Sequence, residues 1–260
     1  MSLPRMKPQD GVAWVTGASS GIGAAVAIAL ARRGWTVAIT ARRAEALEAI
    51  AREAEGLPGR IVDHAGDVTD ARAMNDVVET IESIHGPVAL AFLNAGIASA
   101  HDRPIDAEAV ETIVGVNLLG LAKSFFALEP RMRARHRGQI AVNASLVGYR
   151  GLPGAAAYGA AKAGAIHFCE AMQFDCAVAG IRLQLVNPGF VETPMTRGRS
   201  VPMPFLMTDR ESAERILRGF ERGGFEIAFP RRLAWLMKVL RLLPYPAYFA
   251  LLSRFAKAGR

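Results

Sequence analysis

Cysteine is almost missing from this chain, with Cys169 and Cys176 alone among 260 residues. They stand seven apart in a stretch that reads as helix, too far along its axis for an internal disulfide. A disulfide-stapled scaffold is therefore excluded, and the pair reads as reduced core thiols of a cytosolic protein. The five histidines do not cluster at ligand spacing, so no metal site is expected. The first ten residues, MSLPRMKPQD, lack the apolar core of a secretory signal and read as a short tail. Disorder is excluded as well, because half the residues are apolar and can build a large core.

What is present fits one α/β domain. Basic residues outnumber acidic ones by 31 to 24, a formal charge of +7, which favours anions as partners. Nucleic acid, anionic lipid and a phosphorylated cofactor all qualify on charge alone. The densest basic run, Arg131 to Arg137, reads as the solvated end of a helix whose dipole welcomes cations. No nucleic-acid motif accompanies it, and no nucleic-acid partner is expected.

Apolar strands alternate with helices along the chain. Strands are predicted over 11–16, 35–40, 60–65, 88–93, 138–144 and 181–186, with Phe225 to Phe229 a candidate last strand. Helices are predicted from Ala24 to Arg33, from Ala71 to Ile84, across 107–135, around Tyr158 to about Val178, and from Thr208 to Arg218. Thr208 and Glu211 have the spacing of a capping box. This alternation predicts a doubly wound parallel sheet.

The stretch from Asn143 to Lys162 carries the chemistry. Tyr158 and Lys162 are four apart, about one helical turn, and so project from one face. A cation beside a phenol favours the phenolate and moves the proton toward the working pH range. Ser145 follows an apolar strand, where open α/β sheets place site residues. A proton donor, its tuner and a hydroxyl for a carbonyl oxygen are the needs of reversible carbonyl reduction.

A hydride donor is the missing partner, and the first strand leads to a place for one. Gly17, Gly21 and Gly23 lie between that strand and an alanine-rich helix, so that backbone and helix N-terminus can approach a pyrophosphate. After the second strand, an acidic residue would read the ribose of NAD. The chain has Ala41, Arg42 and Arg43 there, which fits the 2′-phosphate of NADP better, with Arg42 the main contact. A solvated helix start is the other reading of the two arginines, and NAD remains the alternative cofactor.

Taken together, the Thr16–Gly23 loop, Asn94-Ala95-Gly96, Asn117, Ser145, Tyr158, Lys162 and Pro188-Gly189 appear in this order, and the chain resembles the short-chain dehydrogenase/reductase family over roughly residues 10–196. The resemblance implies a seven-stranded Rossmann-like sheet. It implies that Tyr158 is the general acid/base, that Lys162 binds the nicotinamide ribose and lowers the tyrosine pKa, that Ser145 holds the substrate oxygen, and that Asn117 supports a water in the proton relay. Ser19, Ser20 and Ile22 join the glycines at the pyrophosphate. Asp67 and Val68 would border the adenine, Asn94 to Gly96 the adjoining ribose, and Pro188, Gly189, Val191 and Thr193 the nicotinamide. Asn143 and Ala144 precede Ser145 where many relatives carry another serine. A homodimer or homotetramer is implied too.

Residues 10–230 are read as the family domain and 231–260 as a helical extension. Pro194 to Met207 carries Met203, Phe205, Leu206 and Met207, which look exposed, and reads either as a lid over an apolar substrate or as a connection capping the core. In the extension, Leu233, Trp235, Leu236, Val239, Leu240 and Leu243 suggest one apolar helical stripe. Its uncharged run, 242–253, is short of the ~20 residues that cross a bilayer. Packing over the pocket, a subunit interface and peripheral membrane contact are its three readings. The expected function is NADP(H)-dependent interconversion of a hydrophobic alcohol with its ketone or aldehyde; the alternative is a non-catalytic cofactor-binding regulator or scaffold on the same fold.

Overall fold

A computed structural model describes residues 3–98, 105–198 and 203–258. The chain runs β1 (Val12–Thr16), α1 (Gly21–Ala31), β2 (Thr36–Thr40), α2 (Ala44–Glu53), β3 (Arg60–Asp63), α3 (Ala71–His85) and β4 (Val88–Leu93). It continues through α4 (Ala107–Val114), a π-helical turn (Gly115–Leu119), α5 (Gly120–Ala134), β5 (Gly138–Asn143), α6 (Ala156–Val178) and β6 (Ile181–Pro188). After β7 (Val191–Glu192) and β8 (Met207–Thr208) come α7 (Asp209–Arg222), β9 (Glu226–Phe229), α8 (Arg231–Leu242) and α9 (Tyr245–Ala258).

Seven strands form one sheet in the order β3-β2-β1-β4-β5-β6-β9, every pair parallel. Strands covered on both faces read as continuous apolar runs rather than alternating ones. That is the pattern of β1 (VAWVT) and β4 (VALAFL), buried at every position. On one face Val78, Phe125, Leu128 and Ile166, from α3, α5 and α6, share a core. On the other, Val26, Leu30, Leu47 and Ile216, from α1, α2 and α7, build the second. The result is a Rossmann-like three-layer α/β/α arrangement.

Helix ends differ from the sequence expectation where caps and glycines act. α1 begins three residues earlier than expected, at Gly21. Thr208 accepts from the Glu211 amide and completes the capping box, but α7 runs on to Arg222 and stops before Gly223 at φ 78°. The Arg131–Arg137 run is not simply solvated. Arg131 and Arg135 pair with Glu82, Arg133 with Glu129, and Arg137 with Asp10. Acids on α3 and near the N-terminus approach it only because the chain is folded.

α8 departs from the single stripe. Leu233 and Met237 are buried and Leu240 is half-buried, whereas Trp235, Leu236 and Val239 are exposed. At about 100° per residue, positions 233, 237 and 240 share one face and 235, 239 and 242 the opposite one. Leu233, Ala234 and Met237 join the same core as α3, α5 and α6.

Candidate active site

β1 and β4 are neighbours, with β2 and β3 on one side and β5, β6 and β9 on the other. The order reverses between them, and at such a switch point a crevice opens beyond the carboxyl ends of the strands. The loop after β1 enters it. Gly17 has φ 66°, and a Cβ there would lie 2.6 Å from the Ala95 Cα, so only glycine lets the loop rest against the end of β4. Gly23 does not face the crevice; a Cβ on it would meet the Asn94 Nδ2 at 2.6 Å, so it seats α1 behind the loop. The Ser20 side chain caps no amide of α1, which leaves the first N–H groups of the helix for an anion.

Two adjoining cavities follow the crevice, sharing Gly17, Ser20 and Gly96. The outer one, about 260 Å³, is lined by Ser19, Arg42, Arg43, Asp67, Val68 and Ala95 as well. Burial acts to raise the Asp67 carboxyl, but hydrogen bonds from the Thr69 amide and hydroxyl, helped by Arg42 and Lys123, hold it below the usual range. The inner cavity, about 150 Å³, brings together Gly21, Ile22, Asn94, Asn117, Ser145, Tyr158, Lys162, Pro188, Gly189, Val191 and Thr193. Gly23 is thus the one expected site residue that lines neither. Larger cavities of about 450 and 540 Å³ lie elsewhere, one by Met6 and α1 and the other between α7, β9 and α8.

The reactive side chains come from two helical elements and the loop just after β5. Tyr158 and Lys162 stand one turn apart on α6, with the Lys162 Nζ 5.7 Å from the tyrosine ring centre. Nζ donates to the Asn143 carbonyl at 2.6 Å. Lys162 is only 3% exposed, and this burial brings its pKa down to about 8. Ser145 Oγ accepts from the Val147 amide at 3.2 Å and donates to the Pro188 carbonyl at 3.4 Å. Asn117 sits in the π-helical turn, a wider winding often found at functional sites. Its amide donates to the Ile97 and Ile113 carbonyls at 2.8 and 2.9 Å. Its buried Oδ1 has no donor among the described residues.

Asn143 is the participant that motif reading passed over. Besides holding Lys162 through its carbonyl, its amide donates to Asn94 Oδ1 at 2.8 Å. Asn94 in turn donates to the carbonyls of Thr16 and Gly17 at 3.1 and 3.2 Å. The ends of β1, β4 and β5 are laced together beneath the site. Its place as the last residue of a strand just before Ser145 was the available signal. Thr196 was missed too; its hydroxyl donates to the Val191 carbonyl and accepts from the Thr193 amide, fixing the turn that lines the inner cavity. Of the Pro194–Met207 segment, residues 199–202 lie outside the described ones. Its ends are pinned by pairing of β7 with β8, Met195 lines the inner cavity, and Phe205 and Leu206 are exposed, whereas Met207, expected to be exposed, is buried in the core beside α7.

Among the described residues, no group of three His, Cys, Asp or Glu gathers at metal-binding distance. The crevice does fit a dinucleotide: close-approach glycine, an uncapped helix N-terminus and two arginines follow one another along it.

The family model for short chain dehydrogenase matches residues 11–202. This chain belongs to the short-chain dehydrogenase/reductase family and is an oxidoreductase of the kind that binds NAD(P). It is 36% identical over 243 residues to an uncharacterized oxidoreductase of Myxococcus xanthus, covering 93% of this chain and 96% of that one. It is 35% identical over 192 residues to a 3-oxoacyl-(acyl-carrier-protein) reductase of Thermotoga maritima, covering 74% and 78%. A short-chain dehydrogenase from Sphingobium yanoikuyae in complex with NADPH superposes with a TM-score of 0.78 at 26% identity, over 94% of this chain and 95% of that one.

Proposed function

We propose that the protein is an NADP(H)-dependent reductase/dehydrogenase interconverting a hydrophobic alcohol and its ketone or aldehyde. The observation that carries the reading is the gathering of Ser145, Tyr158, Lys162 and Asn117 around one cavity that opens into the cofactor crevice. NADP(H), when bound, supplies or accepts the hydride. The Ser145 hydroxyl donates to the substrate oxygen and holds it beside Tyr158. Tyr158 gives its phenolic proton to that oxygen in reduction and takes it back in oxidation. The Lys162 ammonium stabilises the phenolate left behind, and the Asn143 carbonyl keeps that cation in place. Asn117, through its unpartnered Oδ1, accepts from a water that returns protons from solvent.

Arg42 and Arg43 on the outer cavity support the 2′-phosphate, and an NADPH-bound structural relative accords with it. Met195 in the inner cavity, with Phe205 and Leu206 on the same segment, supports an apolar substrate. The test is Tyr158→Phe assayed on a panel of hydrophobic ketones. Turnover should fall by about two to four orders of magnitude while NADPH titration is unchanged. Undiminished turnover would refute the mechanism. NADPH binding by the wild type without oxidation by any carbonyl would indicate a regulator instead.

A further inference from the structure

The last 34 residues hold the charge of the whole chain. After Glu226 there is no Asp or Glu, but there are seven Lys and Arg; the other 24 basic residues of the 31 balance the 24 acidic ones. The net +7 is thus a property of the segment that contains α8 and α9. In the same segment α8 is apolar on two opposite faces. The inner face is in the core, while the outer one presents Trp235 at 68%, Val239 at 52% and Leu242 at 82% exposure. Exposed Tyr245 and Phe249 stack at 5.7 Å just beyond.

The polar surroundings are cationic. The cavity between α7, β9 and α8 is lined by Arg215, Arg218, Arg222, Arg231 and Lys238 beside Trp235. Lys238 is engaged by Glu226, and the four arginines have no ion pair among the described residues. The orientation of the outer face is fixed by the loop after Ser145. Arg150 Nη1 donates to the carbonyls of Leu240, Arg241 and Leu243 at 2.7, 2.8 and 2.7 Å, closing the end of α8. Its guanidinium lies 4.0 Å from the Tyr248 ring centre, and the Tyr248 hydroxyl donates to the Gly151 carbonyl at 2.5 Å.

We propose that α8, α9 and the arginines of α7 form a docking surface for an anionic phospholipid bilayer. α8 lies in the headgroup plane, with Trp235 and its apolar neighbours in the acyl boundary and the arginines on lipid phosphates. Charge argues against a second copy as the occupant: a two-fold contact through this face would set cations against cations. The uncharged run 242–253 is too short to cross, so the surface lies on the membrane rather than through it.

Trp235 provides the readout, because Trp14 and Trp35, the other tryptophans, are buried. Full-length protein is mixed with phosphatidylglycerol/phosphatidylcholine vesicles or with pure phosphatidylcholine vesicles. The expected result is a blue shift of tryptophan emission and co-sedimentation with the anionic vesicles, both weakened by salt. The Leu236→Glu/Val239→Glu variant, altered only at exposed positions, should keep the wild-type melting temperature and NADPH binding while losing at least about tenfold in vesicle affinity. Absence of wild-type binding to anionic vesicles, or unchanged binding by the variant, overturns the proposal. So does loss of self-association in the variant from a wild type that ignores vesicles, which would assign the face to a second copy. None of these readouts depends on turnover.

Discussion

Lys162 shows how one side chain can serve chemistry at a cost in stability. Its amine is buried and its pKa is down at about 8 from 10.5, so below pH 8 the native state carries a desolvated cation. Between pH 8 and 10.5 the unfolded chain still holds the proton that the native state has released, so native stability rises with pH there. Relative to Lys162→Met, the cofactor-free wild type should gain up to about 3 kcal/mol across that window. Urea unfolding of both proteins at pH 7 and pH 10 measures it, and a pH-independent difference would contradict the assignment. The proposed role of Arg42 is on the ligand instead. A charge-assisted contact to a 2′-phosphate is worth about 1.5–3 kcal/mol, so Arg42→Ala should weaken NADPH binding by about one to two orders of magnitude and leave NADH nearly unchanged. Fluorescence titration with both nucleotides checks this, and equal losses would point away from phosphate reading. Tyr158, Lys162 and Arg42 could be picked out as candidates because each belongs to a short-range pattern. Asn143 was not, since its role depends on a lysine 19 positions away.

At the scale of elements, one device serves the site and another fastens α8. The π-helical turn between α4 and α5 turns Asn117 toward the Ile97 carbonyl, a detour invisible in a hydrophobic pattern that reads as one continuous helix. The second is the clamp on α8. Arg150 satisfies three carbonyls at its end and lies over Tyr248. Arg150→Ala should destabilise the protein by about 1.5–3 kcal/mol and raise amide exchange across 231–258 more than elsewhere. Exchange unchanged in that segment would mean that core contacts of Leu233 and Met237 alone hold α8. The capping box at Thr208 and Glu211 was legible because its partners are three residues apart. The buried face of α8 was not, because apolar residues line both sides of the helix, Leu233, Met237 and Leu240 on one and Trp235, Val239 and Leu242 on the other.

For the whole molecule, the order β3-β2-β1-β4-β5-β6-β9 places the glycine loop, Asn94, Ser145 and Pro188 at one edge of the sheet. That convergence makes separate motifs one site. The charge is organised on the same scale, with residues up to Glu226 balanced and the excess confined to the tail. Long-range steering of an anionic surface toward that end follows, and it should weaken as salt shortens the screening length.

Alternating apolar strands and helices, the glycine loop, the serine, the Tyr-Lys pair and the missing acid after β2 are local patterns. They follow from backbone geometry and side-chain chemistry within a turn or a strand, and therefore could be read along the chain. Strand order, the ion pairs of Arg131, Arg135 and Arg137, the lacing of Asn94 with Asn143 and the Arg150 clamp join residues far apart in sequence. Such contacts exist only after packing has chosen which surfaces meet, because each side chain has several possible partners until burial leaves it one.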